Sequence, residues 1–193
     1  MSNIDKLIHE SALKKIKAGI AKRGFECVTF ISDENGEQHP YHYSVGLAAM
    51  GFAEIFISGR LPQETAYAFI EKMVDTWKAE KGVMLGKFGP FKRLVEKVAH
   101  KMVSRKATVV GHFPAVARQR NGAAIPMTVR WVSVDERRQA APSFMSFVYE
   151  VFPDQKNIPV VQLLWPDDHG QLPDSPHYTG DEEYKQELLP VRT

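Results

Sequence analysis

The 193-residue sequence contains one cysteine, Cys27. A lone thiol forms no internal disulfide and no cysteine-based zinc cluster, which fits a reducing compartment. No apolar run approaches the roughly 20 residues a membrane-spanning helix needs, so no membrane contact is expected. The opening residues MSNIDKLIHES carry Asp5 and Glu10 and lack an apolar stretch, so no secretory signal and a cytoplasmic location are expected. Phosphate-loop, dinucleotide-loop, HExxH and paired-cysteine patterns are all missing. Their absence removes the commonest nucleotide and zinc classes, and neither a cofactor nor a metal is expected. It leaves room for an enzyme with an unfamiliar site. No internal repeat and no low-complexity tract is visible.

What is present suits one soluble globular domain: 44% of the residues are hydrophobic and 25% charged. The formal net charge of +2 hides an uneven distribution. Residues 1–80 hold 9 Lys/Arg against 11 Asp/Glu, residues 81–138 hold 13 against 3, and residues 139–193 hold 3 against 9. The nets of −2, +10 and −6 sum to the total. A basic middle beside an acidic end implies either neutralisation within the fold or an anionic partner.

Periodicity organises the chain. Residues 4–23 read as a helix with Ile4, Leu7, Ile8, Ile16 and Ile20 on one face and Gly24 behind it. Residues 25–32, 41–48 and 53–59 read as strands, the first two joined through the turn Asp33-Glu34-Asn35-Gly36. Short connections make these three an antiparallel meander. Pro62 then opens a helix with the stripe Ala66, Phe69, Ile70, Met73, Val74 and Trp77, which Gly82 is expected to end.

Residues 83–90 read as loop, and 91–106 as a basic amphipathic helix bearing Lys92, Arg93, Lys97, Lys101, Arg105 and Lys106. Residues 107–125 look irregular. A strand is expected over 126–135 and a short helix or a strand over 143–152. The run 158–165 reads as a near-continuous apolar strand. The acidic end, 174–193, reads as a mobile tail or a final helical turn. The expected fold is therefore mainly an antiparallel sheet with packed helices, a C-terminal strand joining the N-terminal meander and residues 83–125 inserted between.

Two segments, taken in order, resemble a family. They are P-Y-H-Y-S-V-G-L at 40–47, followed by the strand AEIFISG, and P-M-T-V-R-W-V-S-V-D at 126–135, followed by V-V-Q-L-L-W-P-D-D-H-G at 160–170. The order resembles the bacterial domain-of-unknown-function family 4262, whose pattern is Tyr-Ser/Thr-Val-Gly-Leu and then Gln-Leu-x-Trp-Pro-Asp-x-x-Gly. The resemblance implies a single α+β domain and no agreed chemistry. Where the family pattern has a Phe-Gly-His-Pro-Glu-like turn, this chain has Met50-Gly51-Phe52-Ala53-Glu54. Where it has a Phe-Pro-Trp-like run, this chain has Leu172-Pro173-Asp174.

Four groups carry candidate chemistry. Asp167-Asp168-His169 is a polar turn after a buried strand, or part of a metal site needing further ligands such as His39, His42 or His177. His42 and Ser44 share a strand face and outline a base and nucleophile, without a nucleophile elbow. The flanking Tyr41 and Tyr43 are candidate ligand contacts. Gln162, inside an apolar strand, must find a hydrogen-bond partner, either a ligand or a nearby backbone; Trp165, three residues on and on the opposite face, is a packing residue or a further ligand contact.

Finally, Lys92, Arg93, Lys97, Lys101, Arg105 and Lys106 suit an anionic partner. The first reading is a non-catalytic binding or regulatory module, meeting a protein or other anionic macromolecule through the basic segment. The second is a hydrolase-like enzyme using His42, Ser44, Asp167 and His169. The third is nucleic-acid binding through residues 91–106.

Overall fold

The strands Tyr41–Val45, Glu54–Ser58 and Val160–Leu164 are buried at every position. A strand buried on both sides belongs to a sheet covered on both faces, and this explains why IPVVQLLW is continuous rather than alternating. The protein, described as a computed structural model, meets that expectation. The described residues are 3–31, 40–59, 61–84, 109–113, 127–132, 145–154, 158, 160–167, 169, 171–173, 175–179 and 186–189.

In chain order the elements are α1 (Asn3–Arg23), β1 (Glu26–Phe30), β2 (Tyr41–Val45), a 3-10 turn (Ala48–Met50), β3 (Glu54–Ser58), α2 (Gln63–Met84), β4 (Val109–Phe113), β5 (Met127–Val132), α3 (Ser146–Val151) and β6 (Val160–Leu164). The six strands among the described residues form one sheet in the order β1-β2-β3-β6-β5-β4. All pairs are antiparallel except β3–β6, which is parallel with Phe56 opposite Gln162. The early meander and the late apolar strand are thus direct neighbours.

Alternation along the strands sorts two cores. On one face Ile55, Ile57, Val161 and Leu163 pack with Ala66, Phe69, Ile70, Met73 and Val74 of α2. On the other, Tyr41, Tyr43, Val45, Phe56 and Val160 pack with Ile16 of α1 and Met145 and Val148 around α3. Ala66, Phe69, Ile70, Met73 and Val74 of the α2 stripe read from the sequence are buried as expected, and the partly buried Trp77 stacks on Phe52 at 5.5 Å.

Several expectations are corrected. Ile4, Leu7 and Ile8 of α1 are 64–69% exposed; only Ile16 and Ile20 of that stripe reach the sheet core. His9 tethers the early part of the helix to α3 instead, stacking on Phe147 at 4.9 Å and pairing with Glu150 at 2.7 Å. Gly82 does not end α2, which continues to Met84; an internal glycine costs a helix only about 1 kcal/mol.

Within the stretch expected to be irregular, Val109–Phe113 is a strand pairing with β5. Its glycine, Gly111, sits at a register shift, so a residue suggesting a loop marks an irregularity in a ladder. The ambiguous stretch 143–152 resolves into the helix α3. Residues 186–189 are not helical; Gln186 and Leu189 are buried against the domain. The turn at 33–36, the basic residues Lys92, Arg93, Lys97, Lys101, Arg105 and Lys106, and Asp168 lie outside the described residues.

Candidate functional site

Buried polar side chains interrupt the apolar sheet near its ends and in its middle. At the first end, β2 runs out through Ser44 and Gly46 while β3 begins at Glu54. The Glu54 carboxylate has no exposed surface. It accepts the Ser44 hydroxyl at 2.5 Å, the Gly46 N–H at 3.0 Å and the Ala48 N–H at 2.9 Å. Ser44 Oγ in turn accepts the Ile55 N–H at 2.8 Å. Burial pushes the Glu54 carboxyl up to about 7, against the downward pull of Ser44 and the backbone donors of residues 46–48.

Gly46 belongs to the same construction. Its φ of 118° disfavours any side chain, and a Cβ there would stand 2.6 Å from the Gly24 carbonyl oxygen. Gly24 itself, at φ 89°, closes α1 by donating its N–H to the Ile20 carbonyl at 2.7 Å. Here the end of α1 and the end of β2 touch backbone to backbone.

Mid-strand, His42 is 1% exposed and faces Ile57 across the ladder. Its Nδ1 lies 3.0 Å from Thr29 Oγ1. Its Nε2 has no well-formed hydrogen bond among the described residues, and the nearby Leu61 backbone favours the cation only secondarily. Burial holds the imidazole below its ordinary range, so it is neutral near pH 7. Tyr41 and Tyr43 are buried on the opposite face, Tyr41 stacked on Phe30 at 4.9 Å and tilted on Phe56 at 5.6 Å.

In the middle of β6, opposite Phe56, Gln162 is 1% exposed and fully engaged. Its Nε2 donates to the Glu187 carbonyl at 2.6 Å and to Ser58 Oγ at 3.1 Å, and its Oε1 accepts the Leu189 N–H at 2.9 Å. Ser58 donates its hydroxyl to the same Glu187 carbonyl at 2.8 Å. Gln186 answers from the opposite side: its amide accepts the Trp165 N–H at 3.0 Å and donates to the Trp165 carbonyl at 2.6 Å. The Trp165 indole donates to the Ser58 carbonyl at 3.2 Å.

Asp167 follows in the loop. Its Oδ1 accepts the N–H groups of His169 and Gln171 at 3.0 and 2.8 Å; its Oδ2 accepts the Thr179 N–H and hydroxyl at 2.8 and 3.0 Å. Burial raises this carboxyl, but the hydrogen bonds from Thr179, Gln171 and His169 outweigh it and bring it down to about 2.

A family model, the domain of unknown function DUF4262, matches residues 19–179. The chain belongs to the DUF4262 family. No curated protein and no solved structure matches it. The geometry gives physical content to the strand read as Y-S-V-G-L: its serine donates its hydroxyl to a buried carboxylate, and its glycine permits contact with α1. In this DUF4262 chain the Gln and Asp of Q-L-L-W-P-D each hold a separate stretch of the C-terminal chain.

The candidate residues fall into separate places. Ser44 lies at the end of the sheet where β3 and β6 begin, Asp167 beyond the end where they finish, and His42 between them under α2. His169 is exposed and gives Asp167 only its backbone N–H. The four hydrogen bonds that Asp167 accepts come from residues 169, 171 and 179, as in a polar turn. Among the described residues no three of His, Cys, Asp and Glu group to hold a metal ion. His177 is exposed, and His39 lies outside the described residues.

Two residues escaped sequence reasoning. Glu54 announces itself as a lone carboxylate in Ala53-Glu54-Ile55-Phe56-Ile57, where burial is certain to be costly. Gln186 gives no comparable signal, because it sits in a polar stretch that reads as solvated.

Proposed function

We propose that this DUF4262 chain is a non-catalytic binding or regulatory module that meets an anionic protein through its basic 83–125 segment. One observation carries the reading: the candidate nucleophile Ser44 and the polar side chains of Gln162 and Asp167 are spent on the fold itself. Ser44 both donates and accepts within the Glu54 network, Gln162 satisfies both ends of its amide on residues 58, 187 and 189, and Asp167 fills both oxygens with its own loop. A nucleophile and base need free reach toward a substrate.

The basic segment supplies the complementary half of the reading, because residues 81–138 carry 13 Lys/Arg against 3 Asp/Glu. A co-purification from the native host, repeated with Lys97, Lys101 and Arg105 all changed to Glu, tests it. The expected result is a protein complex that the triple variant loses while its melting temperature is unchanged. A complex that survives the charge reversal overturns the assignment to this segment. Recovery of nucleic acid in place of protein, released by moderate salt, replaces the partner class.

A further inference from the structure

Residues 186–189 lie beyond residue 179, where the family match ends, yet the side chains that hold them lie within it. The contact has two parts. Gln162 and Ser58 bind only main-chain atoms of the segment, the Glu187 carbonyl and the Leu189 N–H. The Gln186 and Leu189 side chains are buried, the first on the Trp165 backbone and the second in the cluster with Tyr41, Phe56 and Val160. Glu187 and Leu188, between them, are exposed. Fixed polar groups that take up main chain, with pockets reading spaced side chains, are how a domain recognises an extended peptide.

The location fits that use. β3 and β6 are the only parallel pair among the described strands, and the segment is held by both of them, by Ser58 at the end of β3 and Gln162 in the middle of β6, with the Trp165 backbone just beyond. Without the segment, Gln162 loses an acceptor and a donor at a buried position, a state with a strong tendency to recruit another main chain.

We propose that Ser58, Gln162 and Trp165 form a receptor for an extended peptide of the form Gln-x-x-Leu, and that residues 186–189 occupy it in cis as a strap which a partner's segment of the same form displaces. This surface is separate from the basic segment, and either assignment stands if the other fails. Tethering gives the strap an effective concentration on the order of millimolar, so a free peptide competes poorly until the tether is cut.

The test folds the full chain first, with a protease site engineered between Thr179 and Gln186, and then cleaves it. A fluorescent peptide of residues 183–193 is added at micromolar concentration and followed by anisotropy. The expected result is uptake by the cut chain but not by the uncut one. Peptides with Gln186→Ala or Leu189→Asp should bind at least about tenfold more weakly, while Glu187→Ala and Leu188→Ala should stay within about twofold.

Three results overturn the proposal. The cut chain keeps its melting temperature and takes up no peptide. Alternatively, changes at 187 and 188 matter as much as those at 186 and 189. Finally, release of the strap unfolds the cut chain, which makes the segment an integral part of the core. Gln162→Leu in the cut chain should abolish uptake; if that variant does not fold, the peptide variants decide alone.

Discussion

Glu54 and Asp167 sit at opposite ends of one sheet, and each gathers a loop onto a carboxylate. Glu54 accepts the Ser44 hydroxyl and two backbone N–H groups; Asp167 accepts three backbone N–H groups and the Thr179 hydroxyl. By hydrogen bonds alone both should be strong acids. Yet Glu54 rises to about 7 and Asp167 falls to about 2. The difference lies in the surroundings. Glu54 has no exposed surface and stands where the sheet meets α1, whereas Asp167 keeps 9% of its surface and is ringed by its own loop. Desolvation wins at the first and hydrogen bonding at the second.

The largest effect expected from breaking this comparison is at Glu54. Glu54→Ala removes the acceptor for the Gly46 and Ala48 N–H groups and for the Ser44 hydroxyl, all at buried or part-buried positions. Urea unfolding should show a loss of about 3–5 kcal/mol. A loss under about 1 kcal/mol would mean that water or a rearranged loop replaces the carboxylate.

Next comes the pH response. A carboxyl raised from its ordinary 4.5 to about 7 stabilises the fold fully below the lower value and loses that contribution as pH rises through the upper one. Between those limits the loss is on the order of 3 kcal/mol. His42 acts oppositely: a neutral buried imidazole costs stability as pH falls through its ordinary value of 6.5. The two slopes overlap, so the useful quantity is the difference in melting temperature between wild type and Glu54→Gln, measured from pH 4 to 8. Gln resembles the protonated acid, with its amide N–H against Ser44 Oγ and its carbonyl accepting from Gly46 and Ala48. The difference should favour wild type more at pH 4 than at pH 8. A difference independent of pH would show that Glu54 ionises at its ordinary value.

Gln162→Leu should cost less, about 1–3 kcal/mol, because it strands only the Leu189 N–H of a peripheral segment, the Glu187 carbonyl keeping the Ser58 hydroxyl, whereas Glu54→Ala strands three donors. Hydrogen exchange at the Leu189 amide should accelerate, while exchange in β2 and β3 should not. Equal acceleration throughout would place the segment within the folding unit of the sheet.

These sites differ in how far the sequence reveals them. That Gln162 needs a partner is legible, since an amide flanked by Val161 and Leu163 cannot be left unmatched. Which partner it finds is not, because Glu187 and Leu189 stand more than twenty residues away in a stretch whose composition reads as solvent-loving. The meander, the α2 stripe and β6 are legible because each signal is local and periodic. The α1 stripe misleads because Ile4, Leu7 and Ile8 satisfy helical spacing without reaching the core that Ile16 joins. Glycine misleads twice, at Gly82 inside α2 and at Gly111 inside β4, since both helices and ladders absorb a glycine at modest cost.

The smallest effect belongs to Asp167. In Asp167→Asn, one oxygen continues to accept from His169 and Gln171, but the amide group now faces the Thr179 N–H, donor against donor. Thr179 is released and the loop loosens locally, so its amide should exchange faster with little change in global melting temperature. The pH signature runs the other way from that of Glu54. A carboxyl lowered from 3.8 to about 2 contributes stability that is present above the first value and lost as pH falls through the second. Wild type should therefore lose this increment below pH 4, and the Asn variant should not. If Asp167→Asn instead destabilises the domain as much as Glu54→Ala, then burial is not what separates the two carboxylates, and the C-terminal loop is as central to the fold as the sheet's first end.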